Sequence, residues 1–336
     1  MNLFSDNINQ NIDIDIKIPW IEKYRPTNAE DILLEPFIKD KINNMLLNKS
    51  IPNMIITGEP GTGKTSTILF LAKEIYKNYY NDNVLELNAS DDRGLLIINN
   101  KIYPFCKKKI LQSDVCHKLV ILDEADSITS KAQNVLSNII SEFRSNTRFV
   151  FICNDCSQII ESIQSRCMII KYPKISQPNL QYKLLHICNN ENIKYDNLSS
   201  IDALLFVSDY DIRQAINNLE CIYYALNELT EENIYKIIDK PKLFYISNIL
   251  KSCYDKKFND AIKIVSSLYN KGYTPNDILL TIMKYLMMNN NDLSEENKIK
   301  MYEITSHYYI TINEGTDTLL QLCGCISKIY QYINKL

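Results

Sequence analysis

A glycine-rich segment has the residue types and spacing best suited to chemistry. Residues Gly58–Thr65 read GEPGTGKT and fit the pattern G-x-x-x-x-G-K-[ST]. Glycines let backbone N–H groups turn toward phosphates, and the N-terminus of the helix that follows adds partial positive charge. Lys64 would reach the β- and γ-phosphates, and Thr65 would hold Mg²⁺. The segment therefore predicts a site for a nucleoside triphosphate.

A second chemical element follows about sixty residues later in the chain. Residues Leu119–Asp126 read LVILDEAD, an apolar run that ends in carboxylates. Because ligands of open α/β sheets bind at the carboxyl ends of strands, these acids would face the phosphates. Asp123 would complete the Mg²⁺ site, and Glu124 would orient or deprotonate the attacking water. For Asp126, a solvent-facing or helix-capping acid is as good an interpretation as a functional one.

The elements that position these residues can be predicted from hydrophobic periodicity. A helix is predicted at 65–77, directly after the glycine-rich segment. Strands are predicted at 53–58, 84–87, 119–122, 148–153 and 167–172. Short, fully apolar strands that alternate with helices are typical of a parallel sheet covered on both faces. Both chemical elements would thus lie at the ends of strands in one α/β sheet.

The pattern changes after Pro173. No strand pattern returns, and residues 179–229 are predicted to form a small helical set. Thr230 and the two acids after it are typical of a helix start. Long amphipathic helices are predicted from there to the end of the chain, with interruptions at 272–275 and near 289–291. An α/β module would therefore be followed by helical domains.

The composition argues against several classes of protein. A formal net charge of −3 and a pI of about 5.8 disfavour a protein that coats nucleic acid through bulk positive charge. No stretch approaches the ~20 apolar residues that span a bilayer, so no membrane association is predicted. The N-terminal residues lack the pattern of a signal peptide, so the protein is predicted not to be secreted. Residues 1–16 are polar and are predicted to be a disordered tail.

The ten cysteines do not have the spacing of a metal site. Cys153, Cys167, Cys188 and Cys221 stand among apolar residues, and without an export signal they are interpreted as reduced core thiols. Cys153 and Cys156 form a lone C-x-x-C. Since no second pair stands at zinc-ribbon spacing, a zinc site is not favoured.

Six segments together resemble the small subunits of replication factor C, a family of AAA+ clamp loaders. They are WIEKYRP at 20–26, LELNASDDRG at 85–94, DEAD at 123–126, SRC at 165–167, GYTPNDI at 272–278 and EGTDTLLQL at 314–322. The first four are similar to named motifs of the family, and the last two are similar to its collar domain. The resemblance covers roughly residues 19–336, and the combination is far more specific than any single motif.

The resemblance implies a fold and an organisation into domains. An AAA+ RecA-like parallel-sheet module is expected at 17–173, a helical lid at 174–230 and an all-α collar for oligomerisation at 231–336. It also implies a small subunit of a hetero-oligomeric, pentameric complex. ATP binding and hydrolysis at subunit junctions would drive loading of a PCNA-like sliding clamp onto primer–template DNA during DNA replication. The location would be the nucleus in a cell, or a cytoplasmic replication site for a large DNA virus.

The resemblance also assigns roles to individual residues. Asn154 matches sensor 1 and would help to position the attacking water, and Arg213 matches sensor 2 in the lid. Arg166 would act in trans, as an arginine finger at the ATP of the neighbouring subunit. For both arginines the alternative interpretation is a surface salt bridge. The residues expected to contact nucleotide are Tyr24, Arg25, Gly58, Glu59, Pro60, Gly61, Thr62, Gly63, Lys64, Thr65 and Ser66.

Two departures from the family pattern affect the expected ATP site. Glu59 stands where the family usually has proline, and an acid close to phosphates is unfavourable unless its side chain points outward. Tyr210 replaces a glycine before Asp211, which leaves the geometry of the lid open. These departures keep open the alternative of a nucleotide-binding structural subunit that does not hydrolyse ATP. A separate alternative is another AAA+ replication ATPase, such as a helicase loader.

Other departures affect the expected DNA-facing surface. Asn99, Ser137 and Asn138 stand where the family usually carries basic residues. Lys101 and the lysines at 107–109 could supply some of the missing charge. A solvated lysine face is an equally good interpretation of these four residues.

Overall fold

The computed structural model describes residues 18–26, 31, 33–90, 94–110, 117–288, 293–315 and 318–334. The tail predicted to be disordered and the interruption predicted at 289–291 lie outside these ranges. The chain forms two compact units. The first comprises Met1–Asn192 and Ser208–Glu220, and the second comprises Ile193–Val207 and Cys221–Leu336. Among the described residues, no helix is both long and apolar enough to cross a bilayer.

The first unit contains a five-stranded parallel sheet. Its strands are β1 Met54–Gly58, β2 Val84–Asn88, β3 Lys118–Asp123, β4 Thr147–Cys153 and β5 Met168–Tyr172. They lie in the order β2-β3-β4-β1-β5. All five predicted strands are present within two residues of their predicted bounds, and the prediction of a parallel α/β sheet is confirmed.

Nine helices labelled α1 to α9 lie in the described part of this unit before its break at Asn192. They are α1 Trp20–Lys23, α2 Pro36–Leu47, α3 Lys64–Tyr76, α4 Tyr80–Asn83, α5 Leu95–Ile97, α6 Tyr103–Lys107, α7 Ser130–Glu142, α8 Glu161–Gln164 and α9 Gln177–Asn190. A π-helical turn, Ile98–Ile102, joins α5 to α6.

Side chains of the sheet alternate between two apolar layers, as the period of a strand requires. On β1, Met54 and Ile56 pack with α2 and α3, whereas Ile55 packs with α7 on the opposite face. Val150 and Phe151 on β4 divide in the same way. Both faces are therefore buried, which explains why the strands are apolar throughout rather than at every second position.

Two titratable residues are buried where β3 begins. Lys118 is 1% exposed, and its Nζ donates to the carbonyl oxygens of Phe105 at 2.5 Å, of Cys106 at 3.0 Å and of Lys108. These carbonyls lie at the C-terminal end of α6, where a helix leaves acceptors without partners and favours a cation. The neighbouring His117 accepts the backbone N–H of Ile51 at Nε2, 3.2 Å away.

The second unit is mainly helical. Its helices are α10 Leu198–Val207, the last part of α11 Ile212–Leu226, α12 Glu231–Ile237, α13 Leu243–Tyr254, α14 Phe258–Asn270, α15 Pro275–Met287, α16 Glu295–Asn313 and α17 Leu319–Ile333. Thr230 caps α12 by accepting the N–H of Asn233 at 3.2 Å. Apolar side chains of α13 to α17 form one continuous core.

Two predictions for this part of the chain were wrong. Strands do return after Pro173, because β6 Lys194–Tyr195 pairs in parallel with β7 Glu228–Leu229. Two-residue strands are too short to show hydrophobic alternation. Cys221 is exposed on α11, and is not a core thiol. On a helix, the burial of a residue depends on the face that it occupies. Apolar neighbours in the sequence do not determine that face.

The turn before α11 has an unusual backbone. Asp209 and Tyr210 have φ angles of +57° and +58°. This left-handed region favours glycine, and a β-carbon there costs roughly 1–2 kcal/mol per residue. Tyr210 therefore adopts a strained backbone conformation that a glycine would adopt without strain.

Stability is expected to depend on His117 below neutral pH. Burial lowers the pKa of His117 from 6.5 to about 4, so between these values the unfolded chain binds more protons than the folded chain. The free energy of unfolding should fall by up to about 3 kcal/mol as the pH drops from 6.5 to 4. In His117→Gln, a non-titrating acceptor faces Ile51. Denaturation across this pH range measures the free energy of unfolding of both proteins, and the difference between variant and native protein should change with pH. A difference that stays constant would contradict the prediction.

Tyr210→Gly should raise the free energy of unfolding by about 0.5–1 kcal/mol, because relief of left-handed strain exceeds the entropy cost of glycine. Chemical denaturation measures this change. Tyr182→Gly is the matched control, since Tyr182 is also an exposed tyrosine but lies within helix α9. The control should lose about 1 kcal/mol. A loss of stability in both variants would mean that the backbone strain is not the dominant effect.

Candidate nucleotide-binding site

The glycine-rich loop joins the carboxyl end of β1 to the start of α3. Gly61 and Gly63 have φ angles of +76° and +84°, in the left-handed region. A β-carbon on Gly61 would also lie 2.3 Å from Oδ1 of Asp211. Only glycine meets both conditions at this position, so the loop can turn its N–H groups inward beside the N-terminus of α3.

Lys64 folds back onto the loop that carries it. Its Nζ donates to the carbonyl oxygens of Gly58 at 2.6 Å and Glu59 at 2.9 Å, and to Oδ1 of Asn154 at 2.9 Å. The side chain is buried, and burial together with the nearby Arg213 lowers the pKa of Lys64. Its acceptors in the described part of the chain are all neutral, which favours the approach of an anion.

Thr65 and Asp123 meet beside the loop. The Thr65 hydroxyl donates to Oδ2 of Asp123 at 2.8 Å, and Oδ1 of Asp123 accepts the N–H of Glu124 at 2.9 Å. A hydroxyl and a carboxylate are the hard oxygen ligands that Mg²⁺ prefers. The described residues contain no cluster of three or more His, Cys, Asp or Glu side chains able to hold a metal. An ion here would therefore take its other ligands from water and phosphates.

Glu124 follows in a left-handed conformation, with φ +52°, and its side chain is exposed. The strand ends at Asp123, whose carboxylate contacts Thr65, and the side chain of the next residue, Glu124, is exposed. One strand end can in this way present two carboxylates to different partners.

A cavity of about 320 Å³ opens beside the loop. Among the residues predicted to bind nucleotide or metal, those that line it are Tyr24, Arg25, Gly61, Thr62, Gly63, Thr65, Ser66, Asp123 and Arg213. Gly58, Glu59 and Pro60 form the first part of the same loop. All of these residues belong to the first unit, which brings together the segment WIEKYRP at 20–26 (the N-terminal box), the loop and the start of α11.

The N-terminal box is held in place by two acids. The Tyr24 hydroxyl hydrogen-bonds to Glu191, whose carboxylate also pairs with Lys23 at 2.5 Å. The backbone N–H of Trp20 donates to Glu220 at 3.0 Å. Burial and the Glu191 carboxylate raise the pKa of Tyr24 above its ordinary value. These contacts fix Tyr24 and the adjoining arginine at one wall of the cavity.

Glu59 does not bring its charge to the site. Its carboxylate lies 3.0 Å from Nζ of Lys174, and both side chains are more than half exposed. Its backbone carbonyl is the part of the residue that faces Lys64. The unfavourable acid next to phosphates is therefore avoided, because the side chain points outward.

Arg166 lies away from the cavity. It precedes β5, whose first residue pairs with Met54 at the start of β1, whereas Gly58 pairs with Tyr172 at the end. The length of the strand, roughly 13 Å, separates Arg166 from the edge that holds the loop. Its Nε donates to Ser141 at 3.1 Å and its Nη1 to the Ser162 carbonyl at 2.5 Å. Among the described residues, no carboxylate forms a salt bridge with it.

Sequence reasoning missed three charged residues of the cavity wall, Glu22, Asp31 and Lys183. Glu22 stands in the WIEKYRP segment, but no role was predicted for it. Burial lowers the pKa of Lys183, and Asp31 opposes that shift. Lys183 lies next to the buried positions Leu180 and Leu184 of α9. A lysine between core positions was therefore the available signal. Asp31 had no comparable signal, since no helix or strand was predicted around it.

Comparisons with known proteins agree with the geometry. The family model "Replication factor C C-terminal domain" matches residues 241–328, and "ATPase family associated with various cellular activities (AAA)" matches 54–174. A RuvB protein of Thermotoga maritima has a similar structure, with a TM-score of 0.53 at 15% identity, covering 68% of this chain and 78% of that chain. That likeness concerns the fold alone.

Relatives in sequence extend over nearly the whole chain. Replication factor C subunit 4 of Oryza sativa subsp. japonica is 38% identical over 93% of this chain and 92% of its own length. Replication factor C subunit 4 of Saccharomyces cerevisiae is 37% identical, over 96% and 98%. With this identity and coverage, and with an AAA module and a replication factor C C-terminal domain in the same chain, the protein belongs to the replication factor C small subunit family of AAA+ ATPases.

Proposed function

We propose that this chain is an ATP-hydrolysing small subunit of a clamp loader, which uses ATP with Mg²⁺ to load a PCNA-like sliding clamp onto primed DNA. The observation that carries the proposal is the set of contacts made by Lys64. One ammonium group joins the phosphate-binding loop to Asn154, directly beside the Thr65–Asp123 pair. A loop cation, a metal-ligand pair and a polar amide at one sheet edge are the parts that phosphoryl transfer requires.

The residues would divide the work of hydrolysis. Lys64 exchanges its carbonyl partners for the β- and γ-phosphate oxygens of ATP, and Asn154 turns its amide to the terminal phosphate and the attacking water. Thr65 and Asp123 hold Mg²⁺, which when bound neutralises charge on the phosphates. Glu124, exposed beyond the bend, orients or deprotonates the water. Arg213 contacts the γ-phosphate from the start of α11, while Tyr24 and Arg25 bind the adenine end.

Arg166 would serve a different ATP site. It lies at the sheet edge opposite the loop, and its described partners are a hydroxyl and a carbonyl. A guanidinium without a carboxylate partner remains available to an anion, and a neighbouring subunit can bring one. An arginine finger at a subunit junction meets this description, and it contributes ~10³–10⁵ in rate where it has been measured.

The partners proposed are the other subunits of a hetero-oligomeric, pentameric ring, the sliding clamp and primer–template DNA. Helices in 231–336 would form the collar that joins the subunits, 17–173 the AAA+ module and 174–230 the lid. Lys101 and the lysines at 107–109 are exposed, and suit either DNA contact or a solvated face. The ring would work in the nucleus of a cell or in the cytoplasmic replication site of a large DNA virus.

A nucleotide-binding subunit without hydrolysis is the second candidate. Its support came from Glu59 and Tyr210. The outward direction of Glu59 removes the first objection to catalysis, and the left-handed backbone at Tyr210 keeps the turn that a glycine would form. These two observations favour the hydrolysing subunit.

Glu124→Gln should remove hydrolysis at this chain's own junction while leaving ATP affinity within about threefold. Loss of a general base typically costs 10²–10⁴-fold at the affected site, so stimulated turnover of the ring should fall by at least that junction's share. Steady-state hydrolysis by the reconstituted complex with clamp and primed DNA measures this. Glu232→Gln, an exposed acid on α12, is the control. Unchanged turnover in Glu124→Gln would favour the structural subunit.

Arg166→Ala should lower stimulated turnover of the complex without weakening ATP binding by the isolated chain, because the finger acts on a neighbour. Arg166→Lys should fall between the two, since lysine lacks the planar, two-pronged donor set. The double variant with Glu124→Gln separates trans from cis action. It should lose more turnover than either single variant, because two junctions are affected. A double variant no worse than Glu124→Gln would place both residues at one site.

A further inference from the structure

The acid whose role the sequence left open, Asp126, contacts the backbone of Asn154. Asp126 lies in the short 3₁₀ turn Ala125–Ser127 that follows β3. Its Oδ2 accepts the N–H of Asn154 at 3.0 Å. β3 and β4 are neighbouring strands, and β4 ends at Cys153. The Asp126 carboxylate therefore pairs the first backbone N–H beyond the end of β4. The acid neither caps a helix through this contact nor points only to solvent.

A second contact holds Asn154 from the other side. The hydroxyl of Thr57, near the end of β1, donates to the carbonyl oxygen of Asn154 at 3.1 Å. Since β4 lies between β3 and β1, the N–H and the C=O of one residue are each fixed by a side chain from an adjacent strand end. Thr57 is buried, with 8% of its surface exposed. The backbone of Asn154 therefore has little freedom to rotate.

The fixed backbone of Asn154 directs its side chain toward Lys64. Its Oδ1 accepts from Nζ of Lys64 at 2.9 Å, beside the carbonyls that Lys64 also contacts. Backbone position and amide direction thus both depend in part on one carboxylate.

We propose that Asp126, together with Thr57, is a positioning residue. The two residues hold Asn154 so that its side-chain amide points toward the terminal phosphate of ATP. The inference rests on the proposed function, because it takes Asn154 as the group that senses this phosphate. It adds a physical link that the function does not require. Glu124 lies two residues before Asp126 in the same bend, with the N–H of Ser127 donating to the Glu124 carbonyl at 2.9 Å. The same turn would then position both the Glu124 carboxylate, which activates water, and the Asn154 amide, which senses the phosphate.

The test uses the isolated full chain for nucleotide affinity and the reconstituted complex for turnover. Asp126→Ala should bind ADP as before but bind ATP about tenfold more weakly, since Asn154 loses the hydrogen bond that fixes its backbone. Turnover at its junction should fall in parallel. Asp126→Asn is the matched control. It keeps an acceptor oxygen and should stay within about threefold of the native protein in both measurements.

A double variant shows whether Asp126 acts through Asn154. Asp126→Ala combined with Asn154→Ala should be within about twofold of Asn154→Ala alone, because a positioning residue has no effect once its target is gone. Independent, multiplying losses would overturn the inference. An Asp126→Asn variant as impaired as Asp126→Ala would overturn it too, since the hydrogen bond would then not be the cause.

Two results separate this inference from the proposed function. If Asn154→Ala changes neither ATP affinity nor turnover, the role of Asn154 and the inference both fail. If Asn154→Ala is impaired and Asp126→Ala is not, the inference alone fails. Should Asp126→Ala not fold, Thr57→Val tests the other contact with the same expected loss of ATP over ADP, with Thr57→Ser as its control. A native ATP preference in Thr57→Val would then overturn the proposal.

Discussion

The charge of Lys64 is the feature on which the site depends. Lys64 is the first residue of α3, where the helix dipole is positive and disfavours a cation, and it is also largely buried. Three oxygen acceptors hold it there: two loop carbonyls and the Asn154 amide. The loop that follows these carbonyls turns back to α3 through the left-handed glycines Gly61 and Gly63. Loop conformation, strand order and the position of Asn154 thus all contribute to holding one desolvated ammonium group.

The polarity of the parallel sheet explains how the remaining groups are distributed. Strand ends that carry Gly58, Asp123 and Asn154 meet at one edge, because β1, β3 and β4 run in the same direction. Arg166 stands before β5 and so falls at the other edge. A single chain therefore presents a cavity at one edge of the sheet and, at the other, a guanidinium whose described partners are a hydroxyl and a carbonyl. Such a chain is suited to repeated arrangement with others of its kind.

Features set by local pattern could be predicted from the sequence. Strand positions, the loop and the paired carboxylates of the bend follow from apolar runs and short motifs. Contacts between distant residues could not be predicted. Asp126 and Asn154 are separated by 28 positions, and no motif signals that one side chain would complete the other's hydrogen bonds. The outward direction of Glu59 depended on Lys174, whose place is set by the end of β5.

The buried lysine at the start of β3 has a consequence for how this chain can change over evolutionary time. Lys118 holds three carbonyls of the segment Phe105–Lys108, so the chain leaves α6 and enters β3 at points joined by a single side chain. A substitution that shortens this side chain would remove one donor from all three acceptors at a buried position. Lys118 should therefore change slowly among related chains, although it takes no part in the site to which β3 delivers Asp123.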